Sequence, residues 1–305
     1  MWVVRMEINR WLITGGCGFI GTNLVHDISA MFPDDKIIII DDLRSKTKRI
    51  PKNFKNIEFH CMDIAKINNG HRTDKIDYFI HLADEMNGVQ SMNSNYTNLA
   101  CCLNYARSAS VKNFIFASSD GCVGNNPIPL DEKSAFNPGT PYAASKLCGE
   151  ILCDLYSKWG LPTVSLRLSN VYGIYSKHKK SVVVSFINKI INDEPIEIYG
   201  NGKQTRDFIY IDDVVDAIIK AVKTKIEGVY CISSYRETYI NELVQTIEFI
   251  LNKRARIIKA PAKKKEVKNI LVNHMKAVND LSFSWSPTVS LNNGIKKTVK
   301  WMENN

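Results

Sequence analysis

A single stretch near the N-terminus narrows the possible folds more than any other. A short apolar run, Arg10-Trp11-Leu12-Ile13-Thr14, leads into Gly15-Gly16-Cys17-Gly18-Phe19-Ile20-Gly21, and residues 22–30 then read as a helix. Glycines at 15, 18 and 21 let the backbone turn tightly and approach a pyrophosphate at a helix N-terminus. Such a triplet is a weak signal alone and a far more specific one between a strand and a helix. A second apolar run, 36–40, ends in Asp41, about 20 positions beyond Gly21. A dinucleotide-binding fold places the acid for its adenosine ribose there. A carboxylate at that point suits the free 2′-hydroxyl of NAD and repels the 2′-phosphate of NADP; Arg44 nearby pulls the other way. The competing reading of Asp41-Asp42 is a surface turn.

The alternation continues along the chain. Residues 56–60 read as a third strand, and Asp63 just beyond it either closes an adenine pocket or caps a helix. Residues 77–82 form a fourth strand ending at Ala83, 95–109 a helix, 112–117 a fifth strand running into Ser118-Ser119-Asp120-Gly121, and 163–167 a sixth strand. Strands separated by helices predict right-handed crossovers and a doubly wound, Rossmann-like α/β fold with a parallel sheet. Ligands in such sheets sit beyond the carboxyl ends of the strands. The Gly15 loop, Asp41, Ala83, Ser119 and Asn170 are expected to gather there. We expect a first domain over 1–175, with 206–235 returning to it, and a smaller discontinuous lobe from 176–205 and 236–305.

Length and charge bound the rest. At 305 residues and 45% hydrophobic, the chain can bury a large core, and it is long for one compact unit. No apolar run approaches the ~18 residues of a membrane helix, and the first residues lack the layout of a signal peptide. The eight cysteines form no CxxC pairs, which argues against a zinc site or a disulfide framework. We therefore expect reduced thiols, a cytoplasmic protein, no bound metal and no membrane partner. The net charge is +9, but the lysines are spread out. The densest run, Lys263-Lys264-Lys265, has no interleaved aromatics, so a nucleic-acid partner is not expected. A small phosphorylated substrate fits better.

Pro141-Tyr142-Ala143-Ala144-Ser145-Lys146 carries the chemistry. A tyrosine and a lysine four apart share one helix face, and Pro141 suits a first helical turn. A phenol with an ordinary pKa of about 10 is a poor base near neutrality. An ammonium one turn away favours the phenolate and yields a usable acid–base group. Chance alone gives the same spacing on many half-exposed helices.

Taken together these segments resemble the extended short-chain dehydrogenase/reductases, in the branch of NAD-dependent nucleotide-sugar epimerases and dehydratases. The resemblance covers nearly the whole chain: residues 14–21, His81-Leu82-Ala83, Asn95 at the start of a helix, Ser118-Ser119, Tyr142 and Lys146, Arg167 to Gly173, Gly200 to Phe208, and Trp285-Ser286-Pro287. It implies NAD bound through Gly15, Gly18, Phe19, Ile20, Gly21, Asp41, Asp42, Asp63, Ile64, Leu82, Ala83, Asn95, Tyr142 and Lys146. It implies a nucleoside diphosphate sugar, most simply a UDP-sugar, bound through Ser119, Asn170, Tyr199 and Arg206. Tyr142 would take the proton of the sugar 4-hydroxyl, Ser119 would hydrogen-bond the same oxygen, and Lys146 would bind the nicotinamide ribose and tune Tyr142. Arg206 would clamp the diphosphate. The resemblance also implies a homodimer built on the helices at 95–109 and 142–159. Cys101, Cys102, Leu103, Cys148, Leu152 and Cys153 either line that interface or face the sheet.

The chain departs from the family pattern at four places. Ser119-Asp120-Gly121 lacks the glutamate that a 4,6-dehydratase uses beside its aspartate, which disfavours dehydration and leaves Asp120 either touching the sugar or capping a turn. Val123 stands where the family has tyrosine. Asp84 replaces a second alanine near the cofactor. Residues 262–266 offer lysines where the family supplies an arginine, and residues 177–180 offer more. The expected activity is epimerisation at C4 through a transient 4-keto sugar. The alternatives are a C4 dehydrogenase or 4-keto reductase, less readily a 4,6-dehydratase, and, in a different class, a non-catalytic NAD-sensing or RNA-binding protein.

Overall fold

The computed structural model describes residues 8–44, 49–51, 54–68, 75–85, 88–177, 181–262, 267–280 and 282–304. Residues 178–180 and 263–266, from the two lysine-rich stretches weighed against the family's arginine, lie outside the described residues. In chain order the elements are β1 (Arg10–Thr14), α1 (Phe19–Met31), β2 (Lys36–Asp41), β3 (Ile57–Cys61), β4 (Tyr78–His81), α2 (Gln90–Ser108), β5 (Asn113–Ser119), α3 (Pro141–Lys158), β6 (Thr163–Leu168), β7 (Asn170–Tyr172), α4 (Val182–Ile191), β8 (Ile196–Tyr199) and β9 (Thr205–Tyr210). They continue with α5 (Ile211–Lys223), β10 (Gly228–Ile232), β11 (Glu237–Tyr239), α6 (Ile240–Leu251), β12 (Ile257–Ala260), α7 (Met275–Asn279) and α8 (Leu291–Glu303).

The expected doubly wound, Rossmann-like sheet is present. Seven strands lie in the order β10-β6-β5-β4-β1-β2-β3, and the pairings from β3 through β5 are parallel. The strand order reverses direction at β1, and the loop leaving that strand is the glycine-rich one. Strands β1 and β2 are apolar along their length because both faces are covered; Leu12, Ile13, Ile37 and Ile39 are fully buried.

The chain divides into two compact units: residues 1–118, 140–166 and 218–229, and residues 119–139, 167–217 and 230–305. This differs from the expected division. The segment expected to return to the main sheet from 206 onward instead forms β9, which joins a separate three-stranded sheet, β11-β9-β7. There Asn170 is opposite Phe208 and Thr238 opposite Arg206. The strand that rejoins the main sheet is β10. Apolar periodicity identified these strands as strands but carries no information about partners, which are set by long-range pairing.

In the first unit the core lies under α2 and α3. Phe79, Leu99, Cys102, Leu103, Phe114, Phe116, Cys153 and Tyr156 pack together there, with Cys101 and Leu152 at the edge. Cys102, Leu103 and Cys153 thus face the interior and not an interface. The exposed apolar side chains on these helices are Tyr96 on α2, Ile151 and Leu155 on α3, and Trp159 at its end. Helix α2 also starts at Gln90, so Asn95 lies one turn inside it rather than at its start.

The second unit is fastened by two buried aspartates. Asp213 accepts from Thr288 N, Thr288 Oγ1 and Val289 N at 2.8–3.1 Å, and its carbonyl takes the indole N–H of fully buried Trp285 at 3.2 Å. The Trp285-Ser286-Pro287 motif is therefore a structural clasp. Asp207 ties β9 to residues 234 and 272 through Ser234 N, Ser234 Oγ and Val272 N.

Candidate active site

The first unit contains a cleft of about 350 Å³ at the carboxyl ends of its strands. Gly15, Gly18, Asp41, Asp42, Ile64, Leu82 and Ala83, all predicted from sequence, line it. The loop after β1 is held between its neighbours: Gly15 N donates to Ile40 O at 2.9 Å and Leu82 N to Thr14 O at 3.1 Å. Gly15 has φ +70°, and a Cβ there would sit 2.7 Å from Ala83 N. Only glycine fits that conformation and that contact. Gly21 serves packing instead: its Cβ would meet Gly15 O at 2.3 Å and Gly16 Cα at 2.6 Å. Phe19 and Ile20 open α1 behind Gly18. The Phe19 side chain is buried in the core, so only its backbone N–H is available at the helix start. The first turn of α1 carries no acidic side chain and its cap has no side-chain bond, which leaves the positive end of the helix dipole to an anion.

Asp41 closes the other end. Its carboxylate accepts from Cys17 N at 3.0 Å and Leu43 N at 2.9 Å. Burial raises its pKa above the ordinary carboxylate value, against the lowering effect of those two bonds. Arg44, which suggested NADP from sequence, is engaged elsewhere. Its Nε lies 2.8 Å from Asp42 and its other guanidinium nitrogen 3.2 Å from Asp63. Two carboxylates therefore hold this one guanidinium and offset its charge, which leaves it little to offer a 2′-phosphate. Asp63 also caps the short turn at Ile64–Lys66 through Ala65 N at 3.0 Å. Asp63 thus caps a turn and contacts Arg44 beside the cleft. The glycine cradle, the helix terminus and Asp41 fit a dinucleotide with a free ribose.

Tyr142 and Lys146 occupy the first turns of α3, which begins with Pro141 and is capped by Thr140 Oγ1 accepting from Ala143 N at 3.1 Å. The Lys146 ammonium is buried. It lies 5.6 Å from the Tyr142 ring centroid and 4.8 Å from that of Phe116, donates to Ala117 O at 2.6 Å, and contacts the Asp84 carboxylate at 3.0 Å. Nearby His81 accepts from or donates to Thr14 Oγ1 at 2.8 Å. Burial, aided by the Lys146 charge, pushes its pKa down to about 3. Asn95 does not face the cleft. Its amide donates to Glu85 O and Ser145 Oγ and accepts from Glu85 N, at 2.9–3.2 Å. One buried side chain thus pins the segment after β4 to the start of α3.

Ser119 and Asp120 begin the second unit. Ser119 Oγ accepts from Gly121 N at 3.1 Å and donates to Asp120 at 3.3 Å; Ser169 Oγ lies 3.4 Å from the other Asp120 oxygen. Burial raises the Asp120 carboxyl to about 6, opposed by those bonds and by Arg206. Asn170 starts β7. Arg206 donates to Thr205 O and Val267 O at 2.7 and 3.0 Å. Tyr199 ends β8, with its hydroxyl 3.2 Å from Glu197.

Four further residues line the cleft: Arg44 and Asp84, which the sequence already placed near the cofactor, and Glu85 and Asn98, to which it gave no role. Asp84 had a legible signal, an acid just past the carboxyl end of a central strand.

The NAD dependent epimerase/dehydratase family matches residues 11–232. A Methanocaldococcus jannaschii protein provisionally named a UDP-glucose 4-epimerase is 34% identical over 96% of this chain and 98% of its own length. An Escherichia coli dTDP-4-dehydro-6-deoxyglucose reductase is 31% identical over 96% and 97%. The crystal structure of a Thermotoga maritima UDP-glucose 4-epimerase with UDP-glucose superposes with a TM-score of 0.88 at 28% identity, covering 97% of this chain and 99% of that one. With its glycine cradle, its acid at the end of the second strand and its Tyr–Lys helix, the chain belongs to the NAD-dependent epimerase/dehydratase family.

Proposed function

We propose that this protein is an NAD-dependent epimerase acting at C4 of a nucleoside diphosphate sugar, with a UDP-hexose as the first candidate. The observation that carries the reading is the Tyr142–Lys146 pair, with the lysine ammonium buried beside the tyrosine ring and anchored to Ala117, two residues before Ser119. NAD, when bound, supplies a reversible hydride acceptor that is regenerated within one turnover. The chain supplies the proton chemistry. Tyr142 takes the proton from the 4-hydroxyl as the ketone forms and returns it when the alcohol re-forms. Ser119 hydrogen-bonds that oxygen and shares its developing charge. Lys146 favours the phenolate and binds the adjoining ribose. Gly121 offers no base for elimination, so water loss between C5 and C6 is not part of the reaction. Arg206 and Asn170 are assigned to the diphosphate, and Tyr199 to the nucleotide side of the substrate.

The test is a panel of UDP-, dTDP-, GDP- and CDP-sugars followed by NMR, with absorbance read in parallel. Formation of a C4 epimer with no net NADH is the expected outcome, lost in Tyr142→Phe. A 4-keto sugar accumulating with NADH would instead make the protein a C4 dehydrogenase, and a C6 methyl would make it a dehydratase.

A homodimer is the proposed assembly. Tyr96, Ile151, Leu155 and Trp159 are 50%, 57%, 37% and 52% exposed on the paired helices α2 and α3. Ile151, Leu155 and Trp159 recur at i, i+4 and i+8 and so share one face, the kind of exposed apolar stripe that marks an interaction surface.

A further inference from the structure

Asp84 is an acidic residue where the family pattern has a second alanine, and the structure brings it to the centre of the catalytic pair. Its carboxylate is 3.0 Å from Lys146 Nζ, and both side chains are withdrawn from water, at 13% and 6% exposure. The contact is built into the scaffold. Asn95 grips both backbone groups of Glu85, next to Asp84, and the hydroxyl of Ser145, next to Lys146.

An ammonium has three N–H donors. Here one goes to Ala117 O at 2.6 Å and one to Asp84, which leaves one to serve a ribose or the phenol. The charge is compensated as well as the geometry. Among the described residues, the titratable groups facing Lys146 come from three places. Asp84 lies in the segment after β4, together with Glu85, whose carboxylate accepts from Ser94 Oγ at 2.9 Å. His81 lies on β4 and is uncharged near neutrality. Glu150 and Cys153 lie further along α3; Glu150 accepts from Ser118 Oγ at 2.5 Å, and burial holds Cys153 as a thiol. Strand β5 contributes Phe116 and Ala117, which do not titrate. Asp84 is thus the carboxylate in direct contact with the ammonium.

We propose that Asp84 is a positioning residue of the catalytic pair: it fixes the Lys146 ammonium and offsets its charge, and so sets the pH at which Tyr142 gives up its proton. An ammonium alone draws the phenol toward phenolate; a carboxylate 3.0 Å from that ammonium cancels much of the field a few ångströms further out. Removing the carboxylate charge therefore lowers the pH of Tyr142 ionisation. This inference rests on the reading of Tyr142 as the acid–base group.

The experiment is a pH titration of the full-length protein, NAD-loaded, with 13Cζ-labelled tyrosine. The Tyr142 signal is assigned by its loss in Tyr142→Phe. In Asp84→Asn the midpoint is expected about one pH unit lower than in the wild type, the acid limb of kcat/KM moving with it, and Asp84→Glu is expected to restore the wild-type value. A midpoint that stays in place or rises in Asp84→Asn overturns the inference. If Asp84→Asn does not fold, Asp84→Ser gives the same reading. Full activity in Tyr142→Phe would sink the catalytic reading, while the NMR titration would still report whether Asp84 governs the phenol.

Discussion

Asp120 shows how little a residue's identity says about its protonation. Its neighbours Ser119, Ser169 and Arg206 all favour the carboxylate, yet desolvation outweighs them and holds the pKa near 6. Asp207, in the same unit and also near 6, raises its own value further through repulsion with Asp120. The native state thus binds protons at pH values where the unfolded chain, with an ordinary value of 3.8, has released them. Stability then falls as pH rises from about 4 to about 6. Asp120→Asn, which cannot ionise, is expected to match the wild type at pH 4. At pH 7 it should be more stable by about 3 kcal/mol, with urea midpoints at the two pH values as the measurement. An unchanged gap between those midpoints would mean that Asp120 is ordinarily solvated. The aspartate is visible in the sequence, but its proton is not, because desolvation comes from atoms distant along the chain.

Among the elements, β9 depends most on one side chain. Asp207 receives three hydrogen bonds from residues 234 and 272, and this holds the three-stranded sheet against its neighbouring loops. Asp207→Ala leaves the buried Val272 N–H and the half-buried N–H and hydroxyl of Ser234 without that acceptor, at a cost of about 2–4 kcal/mol. Asp207→Asn keeps one acceptor oxygen and should lose less. Thermal unfolding of both variants at pH 7 checks the order; equal midpoints would show that Asp207 is not the fastener. In the sequence, Asp207 follows Arg206, the residue expected to clamp the diphosphate, within the Gly200 to Phe208 motif. Asp207 works for the scaffold, a division of labour that only strand pairing reveals. Helix α2 gives a parallel case: Asn95 was legible as a cofactor-side residue, and its amide instead joins Glu85 to Ser145.

For the whole molecule the exposed stripe on α2 and α3 predicts self-association. Charge inserted into such a stripe costs nothing in a solvated monomer and is strongly unfavourable in a buried interface. Leu155→Glu together with Ile151→Glu should therefore give a folded monomer by sedimentation, where the wild type is expected to sediment as a dimer. A monomeric wild type would remove the proposal. The cysteines and leucines of these helices suggested an interface equally well from sequence. The structure directs most of them inward, and the outward-facing residues are a different set on the same helices.

The amino-acid sequence alone determined the alternation of strands and helices, the glycine cradle, the ribose carboxylate and the Tyr142–Lys146 pair. Each of these is written in local spacing: a turn that only glycine can make, an acid at a strand end, two side chains one helical turn apart. The tertiary structure decided the strand partners of β9, the capture of Arg44 by Asp42 and Asp63, the raised pKa values of Asp120 and Asp207, and the contact of Asp84 with Lys146. These depend on groups far apart in the chain meeting in a place from which water is excluded, and neither the meeting nor the exclusion is encoded in any local run of residues.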